Sequence, residues 1–139
     1  EDLPSETDSS VFLGSPDRFP SIGDCSSDSL KEAQSCFQKH VLRHVKENFN
    51  FSEVARKRNI HGKIYVNFVI EKDASLSNVK VVYSTLGWFK FSKKSRKAKA
   101  EMRAEAVRVV KLLEFNSPAY INGKPVRSRF TLPINLKLE

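Results

Sequence analysis

The sequence has little glycine and no long apolar segment. Its 5 glycines among 139 residues form no phosphate-binding loop. No stretch approaches the roughly 18 consecutive apolar residues of a membrane-spanning helix, and the first residues lack the basic-then-apolar order of a signal peptide. We therefore expect any membrane anchor or export signal to lie upstream of residue 1.

Sequence signals of catalysis are also missing. There is no nucleophile elbow, and the sequence identifies no pair of carboxylates that could act together as acid and base. Serine, histidine and aspartate all occur, but in no motif that assigns them a role. The sequence accordingly predicts a protein that is not an enzyme and that needs no cofactor.

The residues that are present suit one domain with a modest core. The chain has 139 residues, of which 40% are hydrophobic, and this length leaves no room for two ordinary domains. Residues 1–28 are rich in Ser, Asp and Pro, so we predict a flexible linker or arm at 1–18 and a folded domain at 19–139. The net charge of +8 comes largely from a basic insert at 86–99 and the residues just after it.

Two segments have helical periodicity. Ser29 and Glu32 have the spacing of a capping box, and apolar residues follow at three- and four-residue steps, which predicts a helix to about Asn48. A second helix is predicted from one apolar face, made of Met102, Ala106, Val109, Val110 and Leu113. Between the two helices, a short helical turn is expected near Ala55.

Three segments read as strands. Gly62 opens an apolar strand, the turn at Asp73-Ala74 leads into a returning strand over Leu76 to Tyr83, and Asn122-Gly123 turns the chain into the last strand. The order helix, strand, strand, helix, strand with a right-handed crossover gives a three-stranded antiparallel sheet of order 2-1-3. We therefore predict an α+β fold, a two-layer sandwich with both helices on one face of the sheet.

The last strand carries the clearest pattern. From Val126 to Leu138 apolar residues recur at every second position, interrupted only by Ser128. Pro133 has no backbone N–H and fits best where the missing donor points away from a partner strand. Both Pro133 and the predicted topology indicate that this strand lies at a sheet edge.

An exposed sheet edge can capture a peptide by strand addition, or it can be guarded and bind nothing. If the backbone of Pro133 faces outward, every second residue does the same, and the residues between them bond to the sheet. A visiting peptide would then pair with the backbone of Arg127, Arg129, Thr131 and Asn135. The predicted peptide-binding segment is Arg127, Ser128, Arg129, Phe130, Thr131, Leu132, Pro133 and Asn135.

From about Phe19 to Leu138 the sequence resembles the TonB C-terminal domain family. The stretches that carry the resemblance are FSEVAR at 51–56, NIHGKIYVNFVIEKD at 59–73, NVKV at 78–81, EAVRVV at 105–110, GKPVR at 123–127 and PINL at 133–136. Phe19-Pro20 and the pair Cys25 and Cys36 look most like the variant found in Bacteroidetes. Ala74 stands where the family commonly has glycine, so we expect it to avoid positive φ.

The resemblance implies the periplasmic domain of an energy transducer that is anchored to the inner membrane and drives active uptake through outer-membrane receptors. In the family, the Ton box of such a receptor adds as a strand beside the last strand of the domain. The resemblance also implies partners like ExbB and ExbD, which act on a membrane helix outside this sequence. No nucleic acid is expected as a partner, and a homodimer is left open.

A periplasmic location would favour a disulfide between Cys25 and Cys36. The alternative is a zinc site, because Cys36, His40 and His44 share one helical face and Cys25 could add a fourth ligand. The separation of the two cysteines is not a standard zinc spacing. The residues alone leave both interpretations open.

The basic insert at 86–99 interleaves aromatic residues with cations, and its role is not implied by the resemblance. It could be a solvated loop, or an accessory surface for lipid, peptidoglycan or a receptor. The cations of that surface are Lys90, Lys93, Lys94, Arg96 and Lys97. Two other functions remain open: a basic adaptor that binds nucleic acid or anionic lipid through this loop, and a sensory domain of a membrane peptidase.

Overall fold

A computed structural model describes residues 17–25, 29–57, 61–86 and 93–136 of the chain. In chain order, the elements of this part are α1 Leu30–Asn48, α2 Glu53–Lys57, β1 Gly62–Ile70, β2 Leu76–Ser84, α3 Lys93–Lys111, β3 Ala119–Ile121, β4 Lys124–Val126 and β5 Ser128–Leu136. No helix in the described ranges is long and apolar enough to cross a membrane.

The main sheet has the order β2-β1-β5, and β1 is antiparallel to both of its neighbours. This confirms the α+β fold and the 2-1-3 order predicted from the sequence. β5 lies at one edge of the sheet, also as predicted.

One face of the sheet carries the core. The even-numbered residues of β1 face the helices because side chains alternate along a strand. They form one buried cluster with residues from both long helices: Ile64, Val66, Phe68 and Ile70 with Phe37, Val41, Val45, Met102, Ala106, Val109 and Val110. The helices also touch each other, since the His44 Nε2 atom lies 3.0 Å from the Val109 carbonyl oxygen. Both helices therefore cover the same face.

Helix α1 begins where the capping box predicts. Ser29 has extended backbone geometry, and its hydroxyl accepts a hydrogen bond from the Glu32 N–H at 3.3 Å. The helix ends at Asn48, and the Phe49 N–H still donates to the Val45 carbonyl. Between these ends, Phe37, Val41 and Val45 are the buried residues of α1.

The prediction of one strand from Val126 to Leu138 is wrong in its first part. Asn122 and Gly123 both have positive φ, which makes a tight hairpin turn that pairs β4 with β3 rather than with the main sheet. The chain then crosses at Arg127, and β5 begins at Ser128. Leu138 lies outside the described residues.

A short N-terminal segment lies against this hairpin. The Asp17 and Arg18 amides donate to the Tyr120 carbonyl at 2.8 and 3.2 Å, and the Ser21 amide donates to the Ser117 carbonyl at 3.3 Å. Residues 17 and 18 of the predicted arm are therefore packed on the domain. Residues 1–16 lie outside the described part of the chain.

Cys25 and Cys36 form a disulfide, with 5.7 Å between their Cα atoms. The zinc alternative is wrong, because a disulfide sulfur offers no thiolate to a metal. No group of three metal-ligating side chains occurs among the described residues. The disulfide ties residues 17–25 to α1, and the Phe19 ring packs against Phe37 with centroids 4.9 Å apart.

The second half of the basic insert, residues 93–99, is helical. Leu86 is buried in the core, and α3 begins at Lys93, so Lys93 and Lys94 form part of its first turn. Arg96 and Lys97 are exposed on the same helix. Lys90 lies outside the described residues. The expectation of a loop over 86–99 is therefore wrong from Lys93 onward. The residues there are mostly Lys, Arg and Ala, which favour a helix, and they form the first turns of α3.

Ala74 does not avoid positive φ: its φ is +73° in the turn between β1 and β2. Left-handed backbone geometry costs an alanine about 1–2 kcal/mol, a cost that glycine does not have. The greater freedom of glycine in the unfolded chain takes away part of the stability that the substitution gains. We expect Ala74→Gly to raise the free energy of unfolding by about 0.5–1 kcal/mol in urea titrations. The matched control is Ala100→Gly on the exposed face of α3, which should lower the free energy by about 1 kcal/mol. A loss of stability in Ala74→Gly would contradict the strained turn.

Candidate functional site

The backbone register of β5 follows from its neighbour β1. The Lys63 carbonyl accepts a hydrogen bond from the Thr85 N–H at 2.9 Å, so the backbone of Lys63 faces the side of β2. Because the direction of backbone groups alternates along a strand, the even-numbered residues of β1 face β5. Their partners in β5 are also even-numbered, from Gly62 with Leu136 to Ile70 with Ser128. The backbone groups of the odd-numbered residues, among them Thr131, Pro133 and Asn135, therefore point to the outer side of the sheet.

The two edges of the sheet differ in regularity. The pairing of β1 with β5 is continuous over all 9 residues of β5. The pairing of β1 with β2 has two register shifts, and Asn78 in β2 has a φ of +51°. Bulges of this kind blunt a sheet edge. Of the two edges, β5 is the one that can template another strand.

A groove of about 930 Å³ runs between α1 and β5. Its apolar lining is Phe19, Leu30, Phe37, Val41, Leu42, Val45, Phe49, Phe51, Phe68, Phe130, Leu132, Ile134 and Leu136. The strand contributes its core-facing side chains and also Thr131, Pro133 and Asn135. The side chains on one face of a strand added to β5 would thus lie in the apolar groove. Those on its other face would lie on the open face of the sheet, which is the face opposite the helices.

The sequence places β5 at the edge but does not reveal the groove. Periodicity identifies the core-facing residues of α1, whereas the wall of the groove is formed by exposed residues beside them, namely Gln34, Gln38, Leu42 and Lys46. Leu42 is the clearest sign of this wall in the sequence, since it is 49% exposed and the other three residues are polar. An isolated surface leucine is a weak signal, because many exposed leucines have no function.

The predicted peptide-binding residues divide into two faces. Ser128, Phe130 and Leu132 lie on the inner face, where Ser128 is fully buried and its hydroxyl has no hydrogen-bond partner among the described residues. Arg129, Thr131, Pro133 and Asn135 lie on the opposite face and are exposed. Arg127 is not part of β5 and lies between β4 and β5.

An ion pair holds the chain where β5 begins. The Arg127 Nε atom donates to Glu71 Oε1 at 2.6 Å and its NH2 group to Oε2 at 3.2 Å, and the Ser77 hydroxyl donates to the same carboxylate. Hydrogen bonding from Arg127 holds the pKa of Glu71 below its ordinary value of 4.5. This pair ties the crossing into β5 to the end of β1 and so helps to fix the register.

The lowered pKa of Glu71 sets a pH dependence of stability. A carboxylate with a lower pKa in the folded state stabilises above its unfolded pKa, and the contribution is lost as the pH falls through the folded value. We expect Glu71→Gln to lower the free energy of unfolding by about 1–2 kcal/mol at pH 7, and the difference to shrink as the pH falls below about 4. Urea titrations across this range measure it.

The control for this prediction is Glu53→Gln, because Glu53 pairs with Lys57 at 3.6 Å with both side chains well exposed. Exposed pairs of this kind contribute less than about 0.5 kcal/mol. An equal effect of the two substitutions would contradict a special role for the pair at the start of β5.

The fold is similar to that of a solved structure. The solution structure of the Helicobacter pylori TonB C-terminal domain matches with a TM-score of 0.50 and 21% sequence identity, over 82% of this chain and 98% of that one. The chain has the fold of a TonB C-terminal domain. No family model and no curated protein sequence matches the chain. Within this fold, the groove lies along the outer edge of β5, the edge that does not pair with β1.

Proposed function

We propose that the protein is the receptor-binding domain of a TonB-type energy transducer, which captures the Ton box of outer-membrane receptors by strand addition to β5. The observation that carries the proposal is the regular outer edge of β5 beside an apolar groove, in a chain with the TonB C-terminal fold. Strand addition uses such an edge for backbone hydrogen bonds and adjacent pockets for alternate side chains. The domain acts as a binding module without catalysis.

The docked Ton box pairs with backbone groups on the outer side of β5. Thr131 and Asn135 each offer an N–H and a carbonyl in the direction of the added strand, whereas Pro133 offers only a carbonyl. The ladder therefore has a gap at Pro133, with donors on both sides of it. The inward side chains of the peptide lie in the groove against α1.

The wider assignment rests on the sequence resemblance. We propose a periplasmic domain of the Bacteroidetes-type variant, anchored to the inner membrane by a segment outside this sequence. That segment would receive force from partners like ExbB and ExbD. The disulfide between Cys25 and Cys36 supports an oxidising compartment.

The test compares two substitutions of one edge residue in titrations with Ton-box peptides. Thr131→Pro removes an outward N–H and the side-chain hydroxyl, and it leaves the backbone hydrogen bonds between β5 and β1 in place, as the native Pro133 does. Thr131→Val keeps the N–H and removes only the hydroxyl, which donates to Asn67 Oδ1 at 2.5 Å. We expect Thr131→Pro to weaken binding about tenfold, because one hydrogen bond is lost and a peptide carbonyl is left unpaired.

Thr131→Val should bind within about twofold of wild type. Thermal melts of both variants establish that the domain remains folded. Wild-type affinity in Thr131→Pro would contradict strand addition at β5. If no Ton-box peptide binds while the domain dimerises with rising concentration, the edge serves a second copy and the proposal is wrong.

A further inference from the structure

One side of α3 carries a row of cations that strand addition does not use. Arg96, Lys99 and Arg103 recur at steps of three and four residues, so they form one row along the helix, the basic row. Arg96 is exposed, and Lys99 and Arg103 are half-buried. The described residues that line the groove beside β5 include none from α3. The basic row is therefore a surface separate from the peptide-binding edge.

The carboxylates of α3 lie on the other side of the helix. Glu105 is nine residues from Arg96, which is about two and a half turns, and Glu101 is about 140° from Arg96 around the helix axis. Glu105 accepts a hydrogen bond from the Asn50 N–H at 2.9 Å and pairs with Arg108. Because Asn50 lies between α1 and α2, this side of α3 faces those two helices. The basic row thus faces away from them, on the side of β2, against which α3 also packs.

The crowding of these cations is unfavourable for the free domain. Partial burial, and then the positive charge of Arg103, hold the pKa of Lys99 below its ordinary value of 10.5. The first turn of α3 has no acidic residue, although the N-terminus of a helix favours negative charge. An anionic partner would relieve the repulsion among the cations.

The composition of this region suits a lipid surface better than a protein partner. Residues 93–103 contain 6 cations and one carboxylate, and helical clusters of this size bind anionic headgroups. A protein interface is usually anchored by large buried side chains, whereas the exposed residues beside the row are Ala100 and Ala104. The sequence that leads into α3 also interleaves aromatic residues with cations, which is typical of lipid-binding surfaces.

We infer that the basic row of α3 docks on the surface of a bilayer that contains anionic phospholipid. The row contacts the headgroups, and the rest of the domain remains outside the bilayer. The sheet has the order β2-β1-β5, so a bilayer on the side of β2 leaves the outer edge of β5 accessible. The domain can therefore hold a lipid surface and a peptide at the same time.

The test measures sedimentation of the domain with vesicles at low ionic strength. One kind of vesicle contains phosphatidylcholine and phosphatidylglycerol, and the other contains phosphatidylcholine alone. The test variant is Arg96→Gln with Arg103→Gln. The matched control is Lys39→Gln with Arg43→Gln, which removes two exposed cations from one side of α1. Glutamine favours a helix nearly as well as the residues it replaces, and thermal melts establish that both variants are folded.

Wild type should bind the mixed vesicles and not the neutral ones, and added salt should release it. The test variant should bind the mixed vesicles about 30-fold more weakly, which is roughly fivefold for each cation. The control should bind within about threefold of wild type, because its cations do not contact the bilayer. Both variants should bind Ton-box peptides as wild type does, since neither changes a residue of the groove.

No binding of wild type to the mixed vesicles at low ionic strength would overturn the inference. Equal weakening by the two double substitutions would also overturn it, because the effect would then come from net charge. Soluble polyglutamate, at the same concentration of negative charge, should bind more weakly than the vesicles, because ordering a flexible chain costs entropy. Equal or tighter binding of polyglutamate would assign the basic row to an acidic polymer instead.

Discussion

Reduction of the disulfide between Cys25 and Cys36 is expected to lower the free energy of unfolding by about 3 kcal/mol. The two cysteines are 11 residues apart, and opening a closed loop of that size raises the entropy of the unfolded chain by about this amount. In the folded state residues 17–25 retain other contacts. Ile22 is 2% exposed, and the Asn116 amide donates to the Ser21 carbonyl at 2.8 Å. The effect should therefore come mainly from the unfolded chain.

Urea titrations of the oxidised and reduced forms measure this difference without any substitution, so side-chain volume stays constant. The double variant Cys25→Ala with Cys36→Ala is the control for the reductant, and its stability should not change when the reductant is added. A difference below about 1 kcal/mol between the oxidised and reduced forms would contradict the expectation. It would mean that the unfolded chain gains little freedom when the disulfide opens.

Leu42→Glu is expected to weaken the binding of Ton-box peptides about 30-fold, which corresponds to about 2 kcal/mol. Leu42 is 49% exposed in the free domain and lines the groove, so a docked strand would bury the remaining apolar surface. A carboxylate at this position loses that burial and is desolvated by the peptide. The free domain should remain stable, because the introduced carboxylate would stand four residues before Lys46, a favourable helical pair.

The matched control is Leu112→Glu. Leu112 is 48% exposed, directly follows α3 and does not line the groove. This variant makes the same chemical change at nearly the same exposure and should bind within about twofold of wild type. Calorimetric titration measures both affinities, and equal weakening by the two substitutions would contradict a specific role for the groove wall.

The sequence predicts most of the fold because its signals are local. The capping box at Ser29, the apolar strand that Gly62 opens and the turn at Asn122-Gly123 each depend on residues close together in the chain, and all three are found in the structure. The edge position of β5 follows from Pro133 and from topology. The prediction of one long strand from Val126 fails for the opposite reason. The alternating pattern continues across Arg127, and the residues themselves do not show that β4 and β5 pair with different strands.

The site is less accessible to sequence reasoning because it depends on non-local packing. Phe19 and Leu42 become parts of one groove only when the disulfide and the core place residues 17–25 and α1 beside β5. The positive φ of Ala74 escapes prediction for a related reason, since the flanking strands hold the turn in a geometry that alanine disfavours alone. The outward direction of Thr131 and Asn135 follows from the register of β5 with β1.

Amide NMR of the isotope-labelled domain, titrated to saturation with a Ton-box peptide, tests the central claim most directly. In the free domain the Leu132 and Ile134 amides should already be protected from hydrogen exchange, because they bond to β1. On saturation the Thr131 and Asn135 amides should shift and gain protection, on either side of Pro133. Saturation with shifts confined to other surfaces, and with the exchange of Thr131 and Asn135 unchanged, would contradict strand addition at β5.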